Sequence, residues 1–156
     1  MAEEILDFSP DYLNACAHIM VAVSNREPWH ENWTVETAQT RLWEIANTPG
    51  FIGLIYWSGG VVGYAFGCCE QWDMSKNFCL YEIAVKPDMQ RKGIGRKLVS
   101  QLERVLVKQG VTKVYLATLR DSNAEDFYRK QGYRESKNVM TMVRFLDSST
   151  LNATNQ

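Results

Sequence analysis

Neither sign of charge dominates this 156-residue chain: 17 basic side chains stand against 18 acidic ones, a formal net charge of −1. A protein that coats nucleic acid or an anionic membrane needs a general positive excess, so any basic function here is local. Histidine occurs only as His18 and His30, and the four cysteines, Cys16, Cys68, Cys69 and Cys79, include no Cys-x-x-Cys pair. Such spacing suits small apolar fillers rather than metal ligands, so no metal is expected. The start, MAEEILDF, has neither the basic nor the apolar region of a secretion signal, and the expectation is a cytoplasmic protein with reduced thiols. From Ile45 to Cys69 charge is missing altogether, over a length comparable to the roughly 20 residues that cross a bilayer. The turn signals TPG at 48–50 and SGG at 58–60 punctuate that stretch, and FIGLIYW and VVGYAF are rich in β-branched and aromatic residues. Two buried hairpin strands are therefore expected, and no membrane span.

What is present reads as one domain over residues 1–147 with a polar, disordered tail at 148–156. A short strand at 4–8 precedes a helix capped by Ser9 with Pro10 behind it, carrying Leu13, Cys16, Ile19, Met20 and Val23 on one face. A second helix starts at Thr34, with Val35, Ala38, Leu42 and Ile45 spaced for burial. Strands follow at 51–57, 61–72 and 78–85. Next come a helix bearing Leu98, Leu102, Val105 and Leu106, a strand at 111–119, a helix opened by SNAE at 122–125, and a last strand or strands between Tyr133 and Leu146. Strands in series followed by alternating helices and strands predict an α/β (α+β) fold, a mixed and mostly antiparallel central sheet flanked by helices.

The segment QRKGIGRKL, Gln90 to Leu98, joins a buried strand to a helix start. It lacks the third glycine of a dinucleotide fingerprint and the G-K-[ST] of an ATP loop. Amides of residues 91–96 can still converge on an anion at the helix N-terminus, with glycines at 93 and 95 admitting a close approach. Taken alone, the loop is equally compatible with an ordinary basic turn.

Gln90, Gly93 and Gly95, behind an apolar strand ending IAV, fill the pattern [QR]-x-x-G-x-[GA], and Ala124, Phe127, Tyr128, Gly132 and Tyr133 fill A-x-x-F-Y-x-x-x-G-[FY]. Together these motifs resemble those of the GNAT superfamily of N-acetyltransferases, and the order of elements agrees over about residues 3–146. The character is that of small-amine or aminoglycoside-type members. The resemblance implies acetyl-CoA as cosubstrate, lying between a splayed parallel pair of strands. Ile83, Ala84 and Val85 would run beside the pantetheine arm, and Gln90, Arg91, Lys92, Gly93, Ile94, Gly95 and Arg96 would hold the pyrophosphate. Tyr128 would sit near the sulfur. Where many members have Asn three positions before the motif alanine, this chain has Asp121, with Asn123 displaced by two, so the contact there falls to Asn123 or Asp121.

Acetyl transfer to a primary amine by direct attack in a ternary complex needs a proton for the leaving thiolate, and the Tyr128 phenol can donate it. Glu82, the one carboxylate in an apolar strand, can deprotonate the amine or anchor a cation, or be an edge-exposed or salt-bridged side chain; alternation puts Tyr81 on the opposite face. Glu27, Trp29, Glu31 and Trp33, with Glu70 and Trp72 across from them, can form an acidic, aromatic lip for a small cationic substrate, or simply pin a loop. The other readings are a non-catalytic acyl-CoA-binding sensor and a nucleic-acid binder, the latter disfavoured by the charge balance. The expected partners are a small-molecule amine rather than a protein, no nucleic acid, no membrane, and a second copy in an edge-strand homodimer.

Overall fold

The computed structural model describes residues 2–152. Its central sheet contains β1 (Glu3–Asp7), β2 (Phe51–Ser58), β3 (Val61–Gln71), β4 (Lys76–Val85) and β5 (Val111–Tyr115), neighbours in that order. The first three junctions are antiparallel and β4 runs parallel to β5. Helices α1 (Leu13–Ser24) and α2 (Val35–Ala46) cover one face. Helix α3 (Ile94–Lys108) crosses the other on its way from β4 to β5, and α4 (Asn123–Lys130) follows β5. The mixed sheet expected from the order of elements is the one observed.

Local signals act where the sequence places them. Ser9 caps a 3-10 turn over Pro10–Tyr12 that leads into α1. Thr34 and Thr37 cap α2 reciprocally, the Thr37 amide donating to Thr34 Oγ1 at 3.1 Å and the Thr34 amide to Thr37 Oγ1 at 3.0 Å. At α4 only the forward half of the cap forms: Ser122 Oγ accepts from the Glu125 amide at 3.2 Å and donates to the Leu119 carbonyl at 2.7 Å.

The charge-free stretch is the β2–β3 hairpin through the middle of the sheet. It is buried from both sides, so its sequence shows an unbroken apolar run instead of alternation. On the α1 and α2 side Cys16, Ile19, Met20, Leu42 and Ile45 pack on Ile55, Tyr64 and Phe66; on the α3 side Leu98, Leu102 and Leu106 pack on Leu54, Val62, Phe78 and Leu80. Each such aliphatic side chain contributes about 1.5–3 kcal/mol by leaving water.

Two expectations are corrected. The strand predicted at 111–119 stops at Tyr115, because β5 leaves β4 after the pair Cys79 and Tyr115. No strand forms between Tyr133 and Leu146 among the described residues: this stretch joins no ladder, and Val139, Met140, Met142, Val143, Phe145 and Leu146 stand in solvent. Residues 148–152 form a 3-10 helix, and 153–156 lie outside the described residues.

Candidate active site

The parting of β4 and β5 creates the site. They pair from Lys76 with Val111 to Cys79 with Tyr115, and beyond that point Ile83, Ala84 and Val85 keep only their β3 partners Ala65, Tyr64 and Gly63. One edge of β4 is therefore left without a strand. Gln90 ties the next loop to this edge, its Nε2 donating to the Val85 carbonyl at 3.0 Å.

The loop from Gln90 to Gly95 has the backbone of an anion cradle. Arg91 and Gly93 both take left-handed conformations, at φ 61° and 81°, and Gly93 is the N-cap of α3. Among the described residues no amide from Arg91 to Arg96 donates to a backbone carbonyl; the first helical bond is Lys97 N–H to Gly93 O at 3.0 Å. The first turn of α3 holds no acidic residue. Six amides without a backbone partner thus lie at or next to the positive end of the helix. Lys97 is engaged elsewhere, 3.3 Å from Glu3 and 3.3 Å from the Tyr56 hydroxyl, whereas Arg91, Lys92 and Arg96 pair with no carboxylate among the described residues.

Gly95 has a second role that the spacing did not reveal. A Cβ built there would stand 3.2 Å from the tip of the Phe127 ring, so α4 rests on the first turn of α3 at this glycine. This contact brings the two sequence motifs together. Like Ile83, Val85, Val114 and Leu116, the neighbouring Tyr128 packs against the core on the α3 side, and its ring is 5.8 Å from that of Tyr133. Burial, with the nearby Tyr133 and Glu82 adding to it, drives the Tyr128 phenol well above its ordinary value of 10, so the proton stays on at any physiological pH. Burial likewise pushes Tyr133 up to about 12. Asn123 opens α4 and is exposed, as is Asp121, whose φ is 56°. The buried hydroxyls of Thr118 and Tyr133 have no partner among the described residues; Tyr133 closes the second motif, whereas Thr118 was not singled out from the sequence.

Glu82 reaches the opposite face by a β-bulge. Phe66 pairs with Glu82 but Gly67 pairs with Leu80, so Tyr81 is an extra residue in β4. Gly67 permits this, since a Cβ there would run into the Cys79 carbonyl and the Phe78 ring. The alternation that set Tyr81 and Glu82 on opposite faces is thereby broken, and both meet Arg41 of α2. The guanidinium lies 5.6 Å from the centroid of the Tyr81 ring, and its Nε is 3.5 Å from Glu82 Oε1. Burial raises the Glu82 carboxyl to about 7; Arg41 pulls it down and the Glu31 charge pushes it further up. Beside it the Tyr64 hydroxyl is buried and unpartnered.

The acidic, aromatic lip divides. Glu31 accepts from Trp33 Nε1 at 3.1 Å, Trp33 packs on the α1 and α2 core, and Asn25 brackets the Trp33 backbone at 2.8 and 2.9 Å. Glu31 and Trp33 are thus fixed on the Glu82 side. Glu70 and Trp72 engage β5 instead: Tyr115 donates to Glu70 at 2.6 Å, and Lys113 lies 5.7 Å from the Trp72 ring centroid. Glu27, at a cis peptide bond to Pro28, is exposed, and Trp29 is half-buried. A surface cleft of about 720 Å³ lies between α3 and β1, lined by Lys92, Gly93, Arg96, Lys97 and Arg104; it is on the flank of α3 opposite Gly95. Among the described residues no group of His, Cys, Asp or Glu is placed to hold a metal ion, and no helix is long and apolar enough to cross a membrane.

Residues 18–133 match the acetyltransferase (GNAT) family, and the chain belongs to it. It is 35% identical over 74 residues to an uncharacterised N-acetyltransferase of Chlorobaculum tepidum, a match covering 47% of this chain and 45% of that protein, so it spans under half the length of this relative. Solved structures share the fold at lower identity. A protein of Clostridium difficile 630 superposes with a TM-score of 0.80 at 16% identity, over 94% of this chain and 100% of the other. An aminoglycoside acetyltransferase from an uncultured soil sample, in complex with sisomicin, gives 0.70 at 19% identity over 93% and 97%. The aminoglycoside N-acetyltransferase AAC(6')-Iy, in complex with CoA, gives 0.72 at 16% identity over 92% and 95%.

Proposed function

We propose that this chain transfers an acetyl group from acetyl-CoA to a primary amine on a small molecule. The observation that carries the reading is the convergence at one opening in the sheet: the unpaired amides of 91–96, joined through Gly95 and Phe127 to Tyr128 on one face, and Glu82 on the other. The donors suit the cosubstrate, since a cradle of free amides with a left-handed Gly93 fits a pyrophosphate and the unpartnered edge of Ile83–Val85 fits an amide-bearing chain laid alongside as an extra strand. Bound acetyl-CoA would supply the thioester. Asn123 and Asp121 flank the start of α4, where either can contact it.

On the α1 and α2 side Glu82 takes a proton from the acceptor ammonium, a task for which a carboxyl at about 7 is better matched than an ordinary one. The freed amine nitrogen forms a bond to the acetyl carbon, the carbon–sulfur bond breaks, Tyr128 gives its proton to the departing thiolate, and the second proton that the acylated nitrogen sheds returns to the Tyr128 oxygen. A thiolate in the same dry surroundings is disfavoured by the burial that raises the phenol, so it is a stronger base there than in water. Glu31 and Trp33 offer the acceptor an acidic and aromatic wall, with Glu27 and Trp29 on the same loop and Glu70 and Trp72 beyond Tyr81. The four cysteines are free thiols, which suits a cytoplasmic location.

Release of CoA across a panel of amines, with mass detection of the acetylated product, tests the reading. Turnover with at least one amine is expected, and acetyl-CoA should raise the melting temperature. A thermal shift without turnover on any amine would make the chain an acyl-CoA sensor; no shift would remove the cosubstrate.

A further inference from the structure

The opening between β4 and β5 has a closed end, and the side chains there tie β5 across β4 to β3. The last pair before the strands part is Cys79 with Tyr115. From it the Tyr115 hydroxyl reaches over β4 and donates to Glu70 of β3 at 2.6 Å, the length of a charge-assisted hydrogen bond. Two residues earlier on the same face of β5, Lys113 makes a like crossing toward the Trp72 ring, 5.7 Å from its centroid. β5 meets β4 in four pairs, with a register shift after the first, so the ladder that closes the opening is short and these ties reinforce it. Glu70, and burial after it, hold the Tyr115 proton far above its ordinary range, so the phenol remains the donor at any physiological pH.

This end is walled on both faces. Cys79 stands opposite Cys68, which packs in the core under α1 and α2, so Cys79 and its partner Tyr115 face that side, with Tyr81 next to them under Arg41. On the other face Leu80, Val114 and Leu116 pack into the core under α3. The opening also has a direction. The cradle of 91–96 lies past the C-terminal end of β4, and the free edge of Ile83–Val85 leads back from it to Glu82 and Tyr81. A chain anchored by its pyrophosphate in the cradle and laid along that edge points its far end at Cys79 and Tyr115.

We propose that this closed end, held by the tie between Tyr115 and Glu70, is a stop for the acyl group and makes the chain selective for acetyl-CoA over longer acyl-CoAs. The stop rests on the reading of acetyl-CoA as cosubstrate. Cys79 lies three residues before Glu82, about 10 Å of strand, and the bulge at Tyr81 shortens that interval. With Tyr81 on one side and Leu80 on the other, a methyl group fits beyond the thioester and each added methylene meets side chains that are already packed. One methylene too many in a filled apolar pocket costs about tenfold or more in selectivity. Glu70 thus holds the wall of the donor site instead of touching the amine.

Calorimetric binding of acetyl-, butanoyl- and hexanoyl-CoA to the full chain, with no amine present, tests the stop without relying on turnover. The parent should bind acetyl-CoA about tenfold or more tightly than butanoyl-CoA. Tyr115→Phe and Glu70→Ala both cut the tie and should each narrow that preference by about three- to fivefold, the worth of one exposed charge-assisted bond, with no further change in the double variant. Glu70→Gln keeps an acceptor for the phenol and should keep the preference. Hydrogen exchange at the 114 and 115 amides should quicken in the first two variants and not in the third. Equal binding of the three acyl-CoAs by the parent overturns the stop alone. So does a preference that survives both Tyr115→Phe and Glu70→Ala. Failure of every acyl-CoA to bind overturns the cosubstrate reading and the stop with it. The length profile of the parent chain decides the matter if a variant fails to fold.

Discussion

Arg41→Gln removes the one cation that faces Glu82 among the described residues. Around this carboxyl stand Arg41 from α2, Glu31 from the loop before it, Tyr64 from β3 and Tyr128 from α4, so only Arg41 favours ionisation. Two unit charges at the observed 3.5 Å attract by about 1 kcal/mol in water and about 5 kcal/mol at an effective dielectric near 20. Arg41 is 37% and Glu82 22% exposed, and solvent screening takes the interaction toward the lower figure. Loss of Arg41 should then carry the Glu82 pKa from about 7 to about 8, since one pH unit corresponds to about 1.4 kcal/mol. A base acts when ionised, so kcat/KM should fall roughly fivefold at pH 7 and hardly at all at pH 9. The assay is the pH profile of CoA release for the parent, Arg41→Gln and Arg41→Lys. The lysine variant keeps the charge and should hold the acid limb near its original midpoint. An unmoved limb in Arg41→Gln, or a loss equal at every pH, would refute the assignment of Glu82 as the base that Arg41 tunes.

Tyr128→Phe keeps the packing against Tyr133 and removes the proton, and should lower kcat by 10²-fold or more with little change in the acetyl-CoA thermal shift; an equal rate would strip Tyr128 of its role. Glu82 also bears on stability. Its carboxyl binds a proton more tightly in the folded chain, at about 7, than at the ordinary 4.5. The folded state therefore holds the extra proton between those values, and stability falls as pH rises through that window, by about 3–3.5 kcal/mol in total. Glu82→Gln should flatten this slope in chemical denaturation at pH 5 and pH 8, and parallel slopes would count against the buried carboxyl. Gly93→Ala puts a side chain at φ 81°, costing about 1 kcal/mol. The same change should weaken the thermal shift by acetyl-CoA more than it lowers the melting temperature of the free chain.

The sequence made legible those parts of the molecule whose signals are local. The β2–β3 hairpin, the Thr34 and Ser122 caps and the loop before α3 each follow from side chains within a few residues of one another. The face of Glu82 did not, because a bulge inserts Tyr81 and reverses the alternation from that point on, and its enabling residue, Gly67, lies on a different strand. Arg41 was invisible for a similar reason: its partners lie far along the chain, and on α2 it looks like any solvated cation. The stretch from Tyr133 to Leu146 shows the opposite failure. Its composition is that of a strand, but composition cannot say whether a partner edge lies within reach.

The contact between Gly95 and Phe127 fixes a distance. Cradle and phenol belong to different helices, and what separates those helices is the edge of one benzene ring against a residue with no side chain. Phe127 therefore acts as a spacer between the point where an anion would be held and the point where a proton would be delivered. A shorter or longer residue at 127 would reset that interval while leaving every charged or hydrogen-bonding group of the site in place.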